Sequence, residues 1–272
     1  MKSINIYMLA TATAVCTAVP ASAATVVIDD FSTSGAVASN FGGNPATDSQ
    51  STAGADIIGG ERDLWVSTDG GDSFGSQFEA SASDGELNFT NGSGTTGQAI
   101  VIYDGNGAGA TAQTFSFNSV PGPDAPDFPK AFSASVPVDT AGLGGLDFLQ
   151  GNTITNRRFE FDVTSFDADG VLQFEAYVWD TTGDLARFSE TLINPSSTDE
   201  LDFSTTLKFD EFTGVIDWTD VGAVAFSVES ETAEFDGSIG SISVVPLPAS
   251  ALLLLGGLGG FAAVGRRRRR KA

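Results

Sequence analysis

Tyr177 and Trp179 stand two residues apart in a stretch, 172–179, that alternates apolar and polar side chains, and they share a face with Gln173 and Glu175. A sugar ring needs such a surface: an aromatic face covers its C–H side, and neighbouring amides and carboxylates read its hydroxyls. Tyr177 and Trp179 are therefore the candidate sugar platform. The sequence leaves open the alternative that this face packs inside the protein, and Trp65 and Trp218 are more ambiguous still.

The remaining chemistry is carboxylate chemistry. The chain has 35 Asp and Glu and no histidine. Without imidazole there is no Ser-His-Asp triad and no His-ligated zinc. A carboxylate pair can still hydrolyse glycosides, but among so many acids some pair lies at working distance by chance. No catalytic residue is assigned.

Clustered carboxylates also suit calcium, a hard cation that takes oxygen ligands. Asp167 and Asp169 before Gly170 miss the twelve-residue calcium-loop spacing, because the glycine comes at the fourth position and Val171 takes a ligand slot. They read as a hairpin turn. A calcium ion held from separate loops remains open, with Asp29 or Asp30 near the start and Asp236 near the end as candidate ligands.

These side chains need a β framework. Arg158 to Val163 alternates strictly, with Phe159, Phe161 and Val163 on one face. Turns at 167–170 and 180–184 then predict a three-strand antiparallel meander over 158–192. Further strands are expected at 26–31, 63–67, 86–90, 99–103, 114–118, 222–229 and 238–244, and long polar loops at 32–60 and 105–125. Helical periodicity is absent between the termini. The expected fold is all-β, a two-sheet antiparallel sandwich of jelly-roll type over 24–244, flanked by an N-terminal signal peptide helix (1–23) and a C-terminal transmembrane helix within 245–272.

The termini carry addresses. Lys2, an uncharged apolar run and Ala21-Ser22-Ala23 before Ala24 form a signal peptide with cleavage by signal peptidase after Ala23. Cleavage there removes Cys16, the only cysteine, so the mature chain has no disulfide or thiolate site. Between the termini, six cations face all 35 carboxylates, a formal charge of −29. Such a body repels nucleic acid and anionic membrane surfaces.

At the other end come Val245, Pro246, Leu247, Pro248 and Ala249, an apolar run to residue 264, and the basic block Arg266, Arg267, Arg268, Arg269, Arg270 and Lys271. The sixteen uncharged residues 249–264 would span about 24 Å as a helix, short of a bilayer core of about 30 Å. The basic block is a cytoplasmic anchor that leaves everything upstream on the far side of the inner membrane. A plain membrane anchor is one reading. Motif, apolar span and Arg block in this order also resemble the VPLPA form of the PEP-CTERM sorting signals of Gram-negative bacteria. That resemblance, over about a tenth of the chain, implies a membrane exosortase as partner and processing on the way to the cell surface or extracellular matrix.

Ser67-Thr68-Asp69-Gly70-Gly71-Asp72-Ser73-Phe74 fits the Asp-box of sialidase-like propellers, where it is a structural turn, but it occurs once where a propeller repeats its blades. The stretches 26–31, 217–224 and 239–244 look like the first and last strands of bacterial jelly-roll carbohydrate-binding modules. The expectation is a secreted, acidic surface or matrix protein with a structural or adhesive role and no enzymatic activity. The alternative is recognition of extracellular polysaccharide, with a carboxylate glycosidase third.

Overall fold

The computed structural model describes residues 24–41, 46–68, 77–92, 97–105, 112–116, 135–167, 170–194, 206–230 and 236–246. All of them belong to one compact unit, Ala23–Leu247. The signal peptide with Ala21 and Ala23, the motif residues Leu247, Pro248 and Ala249, the apolar run, the basic block, residues 69–76 of the Asp-box stretch and Asp169 of the 167–170 turn lie outside the described residues. Among the described residues no helix is long and apolar enough to cross a membrane.

Sixteen strands are described. They are β1 (Val26–Asp29), β2 (Gly35–Phe41), β3 (Ala46–Ala53), β4 (Glu61–Thr68), β5 (Gln77–Ser83), β6 (Glu86–Asn91), β7 (Gly97–Tyr103) and β8 (Ala112–Ser116). The chain continues through β9 (Ser135–Asp139), β10 (Arg157–Asp167), β11 (Gly170–Asp180), β12 (Leu185–Asn194), β13 (Thr206–Lys208), β14 (Thr213–Gly214), β15 (Val221–Ser230) and β16 (Asp236–Pro246). A first antiparallel sheet runs β13-β10-β16-β6-β5-β2, with β1 also paired to β16. A second runs β14-β12-β11-β15-β7-β4-β3, and β8 and β9 form a two-stranded sheet of their own. The chain is all-β and sandwich-like, as its alternating stretches predict.

The two seven-stranded sheets meet on their phenylalanines. Phe161 of β10 lies edge-on to Phe174 of β11 at 5.4 Å and to Phe226 of β15 at 5.2 Å, and Phe159 meets Phe226 at 5.3 Å. These contacts correct the expected meander over 158–192. β11 and β12 do pair, but β10 pairs with β16 and β13 in the opposite sheet. The alternation of 158–163 and 172–178 gives each strand one apolar face, and facing each other across the core buries both faces better than lying side by side in one sheet.

One other expectation changes. The polar stretch 32–60 contains β2 and β3, which pair with β5 and β4. Backbone pairing at a sheet edge needs no apolar alternation, so serine, threonine and alanine suffice there. Val245 and Pro246 of the sorting motif end β16, opposite Arg158 and Arg157. Beside them Arg157 donates from Nη1 to the carbonyl of Ala24 at 3.0 Å.

The β8–β9 hairpin lies on the outer face of the second sheet. Ile100, Ile102, Tyr177, Trp179, Ala223 and Ala225 form with Val136 and Val138 an apolar cluster separate from the inter-sheet core. Its return leg is fixed by close backbone approach. A Cβ on Gly142 would lie 1.5 Å from the Asp104 carbonyl oxygen, and one on Gly222 would lie 1.8 Å from that of Thr140. Any side chain at either position would push the leg off the ends of β7 and β15.

Candidate functional site

The outer face of the second sheet grades from polar to apolar. Register places Ser67, Gln98, Glu229 and Gln173 in one cross-strand row, and Trp65, Ile100, Ser227, Glu175 and Ser189 in the next. Ile102, Ala225, Tyr177 and Arg187 form the third row, and Ala223, Trp179 and Leu185 the fourth. The face follows from period two: odd positions of β11 look outward while Phe174, Ala176 and Val178 fill the core.

Glu175 is the hub of the polar rows. Its Oε2 accepts from the Tyr177 hydroxyl and its Oε1 from Arg187 Nη2. Gln173 Nε2 adds a bond to Oε1 at 3.0 Å and another to Ser189 Oγ at 3.2 Å. One row away Gln98 Nε2 donates to Ser227 Oγ at 2.6 Å. The Arg187 guanidinium lies 5.4 Å from the Tyr177 ring centre. Burial and the Glu175 charge push the Tyr177 phenol well above its ordinary range, so it stays a donor.

This network is not closed. Gln173 Oε1, Gln98 Oε1 and Arg187 Nε are buried and have no hydrogen-bond partner among the described residues. Gln173 cannot be flipped to hide the gap, because its nitrogen must face the Glu175 carboxylate. A buried amide oxygen left unpaired destabilises a fold by about 1–3 kcal/mol. Each such group calls for an explanation, and a bound ligand is one.

The structure corrects the exposed platform. Tyr177 and Trp179 are 1% and 3% exposed. They stack at 6.0 Å, and Phe115 of β8 stands edge-on to both, at 5.4 and 5.1 Å. The sequence alternative of an inward-packed face is also incomplete, since the cover is the hairpin and not the first sheet. Trp65 is half-buried beside the same cluster, whereas Trp218 belongs to the inter-sheet core, stacked on Phe209 at 4.1 Å.

The proposed calcium pair is not brought together. Asp29 pairs with Ile242 at one end of β16 and exposed Asp236 with Thr90 at the other. Six residues of strand between these positions amount to about 20 Å. The described cluster is Asp29, Asp30 and Asp56, whose carboxylate oxygens lie within 4.8 Å of one another. Hard oxygen donors suit calcium, but three carboxylates fall short of the usual six to eight ligands, and Asp29 is already committed. Its Oδ2 accepts from buried Arg62 at 2.6 Å and from Tyr103 at 3.1 Å. Burial raises the Asp29 pKa against the pull of Arg62. Asp56 accepts from Thr33 and Ser32, bonds that lower its pKa to about 2.

One titrating group has no signature in the sequence. Asp104, just after β7, accepts the backbone N–H of Asp139 at 2.7 Å where the hairpin returns. Burial, and then the charges of Asp63, Asp139 and Glu61, push its carboxyl up to about 6.

No protein-family model matches this chain, and no curated protein does. Among solved structures, one described as PfGH50B is 12% identical with a TM-score of 0.35, matching 76% of this chain and 24% of its own. A family 11 carbohydrate-binding module of the cellulosomal cellulase Lic26A-Cel5E of Clostridium thermocellum is 11% identical with a TM-score of 0.32, over 82% of this chain and 95% of the module. An exo-beta-agarase is 12% identical with a TM-score of 0.31, over 82% of this chain and 24% of the agarase. The chain thus spans about a quarter of the length of PfGH50B and of the agarase. Likeness at this level transfers no function, and the chain is assigned to no family.

Proposed function

We propose that the chain is an exported, acidic surface or matrix protein that recognises a neutral glycan on the outer face of its second sheet, without turning it over. The observation that carries the reading is the unclosed polar network around Glu175. Gln98 and Gln173 are buried side chains and Arg187 Nε a buried atom, and such burial disfavours folding unless each polar atom is paired. Sugar hydroxyls donate and accept, so they answer both the glutamine oxygens and Arg187 Nε. Within the floor Glu175 and Glu229 outnumber Arg187, and the body carries −29. Uronate and sulfated polymers are disfavoured by that charge.

Affinity electrophoresis of the full-length chain in agarose-, cellulose- and alginate-containing gels tests this. Retardation by a neutral polymer and none by alginate is expected; no retardation by any neutral polymer refutes the reading.

A structural or adhesive role without a sugar ligand is favoured by one observation, the near-complete burial of Tyr177 and Trp179. Routing is part of the proposal: signal peptidase cuts after Ala23, the apolar run and Arg266 to Lys271 hold the precursor in the inner membrane, and an exosortase processes it at Val245 to Ala249. Intact mass of the native protein, with and without that motif altered, checks this step. A full-length protein still in the inner membrane would leave only a plain anchor.

A further inference from the structure

We propose that the β8–β9 hairpin is a displaceable cover, and that the glycan takes its seat on Tyr177 and Trp179 while reaching the polar floor around Gln173 and Arg187. This rests on the glycan reading above and adds how the site is opened. Three observations carry it.

The hairpin is a two-stranded sheet of its own, while every neighbour of the face it covers is stitched into the seven-stranded second sheet. Among the described residues, it is held over Tyr177 and Trp179 by the apolar cluster with Val136 and Val138 and by the edge-on contacts of Phe115. Its firm attachment lies at the base, where Asp139 donates to Asp104, Leu143 donates to the Gly222 carbonyl at 2.9 Å, and Gly142 and Gly222 admit close backbone contact. Among the described residues the base is pinned by hydrogen bonds and the arm is seated by side chains, the mechanical layout of a flap.

The second observation is what lies beneath. An aromatic pair continuous with a polar floor is a sugar surface in composition, and Phe115 occupies the place a sugar ring would take against Tyr177 and Trp179. The third is the incomplete satisfaction of that floor with the cover in place: Gln173 Oε1 and Arg187 Nε are buried without partners among the described residues. A ligand seated on Tyr177 and Trp179 whose hydroxyls reach these atoms gains bonds that the described hairpin strands do not supply, and so favours the open state.

The test pairs hydrogen exchange with binding on the full-length chain, using the neutral polysaccharide that retards it, as a soluble oligosaccharide. Saturating ligand should speed exchange of amides in 112–116 and 135–138 while slowing those of 173–179. Phe115→Ala should tighten apparent affinity roughly tenfold, the order expected when two ring contacts no longer hold the closed state. Binding that leaves the hairpin unchanged or protects it, with Phe115→Ala neutral or weaker, overturns the cover while the glycan reading survives. Absence of binding by both wild type and Phe115→Ala overturns both. Should Phe115→Ala fold poorly, exchange on the wild-type chain decides alone.

Discussion

Asp139 donates its backbone N–H to Asp104 Oδ2 at 2.7 Å, joining the return leg of the hairpin to the end of β7 through a carboxyl that is 8% exposed. That carboxyl is pushed from 3.8 up to about 6, by burial first and then by Asp63, Asp139 and Glu61. The folded pKa of this acid exceeds the unfolded one, so the fold favours the neutral form. The contribution is complete below pH 3.8 and is lost as pH rises through 6. By linkage the range amounts to about 3 kcal/mol at most. Asp104→Asn keeps an oxygen for the Asp139 N–H and removes the charge. It should raise Tm at pH 8 and change it little at pH 4, as read by thermal melts at both pH values; an equal change at both would contradict this.

Arg62 and Asp29 form a fully buried ion pair at 2.6 Å. Arg62→Ala leaves the buried carboxylate without its counter-charge, with only the neutral donors Tyr103 and the Phe31 N–H, and should destabilise by about 3–5 kcal/mol. Adding Asp29→Asn to Arg62→Ala should recover part of the loss. Urea titration of the single and double variants measures both, and a double variant weaker than the sum of its parts would sink the account.

Trp179→Ala empties a packed site beneath the hairpin. The expected loss is about 3–5 kcal/mol of stability, seen as a lower urea midpoint. An unchanged midpoint would mean that Trp179 is not held under the hairpin as described.

Much of the framework was legible because period two is a local signal. Alternation puts Phe159 and Phe161 on one face of 158–163 and Phe174, Ala176 and Val178 on one face of 172–178, and all five are buried in one cluster. Partner choice was not legible, because alternation says which way a side chain points and nothing about which strand lies beside it. Hence β10 was expected next to β11 and sits in the other sheet. The covered face did leave a trace. Residues 99–103 and 221–228 read as near-continuous apolar runs, and every position of β7 and β15 is buried. A run of that kind belongs to a strand covered on both faces. The Glu175 hub was half legible: Gln173, Glu175 and Tyr177 share a face by spacing, but Arg187, Gln98 and Ser227 arrive from other strands through register alone.

The central claim is that the floor around Glu175 binds a neutral glycan. The most direct measurement is the dissociation constant of the full-length chain for the neutral polysaccharide that retards it, compared with that of Gln173→Leu, with circular dichroism confirming that both fold. The account expects wild type to bind and the leucine variant, which lacks the amide oxygen and its donor, to lose about tenfold or more, since one hydrogen bond to an uncharged ligand amounts to roughly 1.4 kcal/mol. Equal affinity of the two folded proteins, or no binding by wild type, would contradict it.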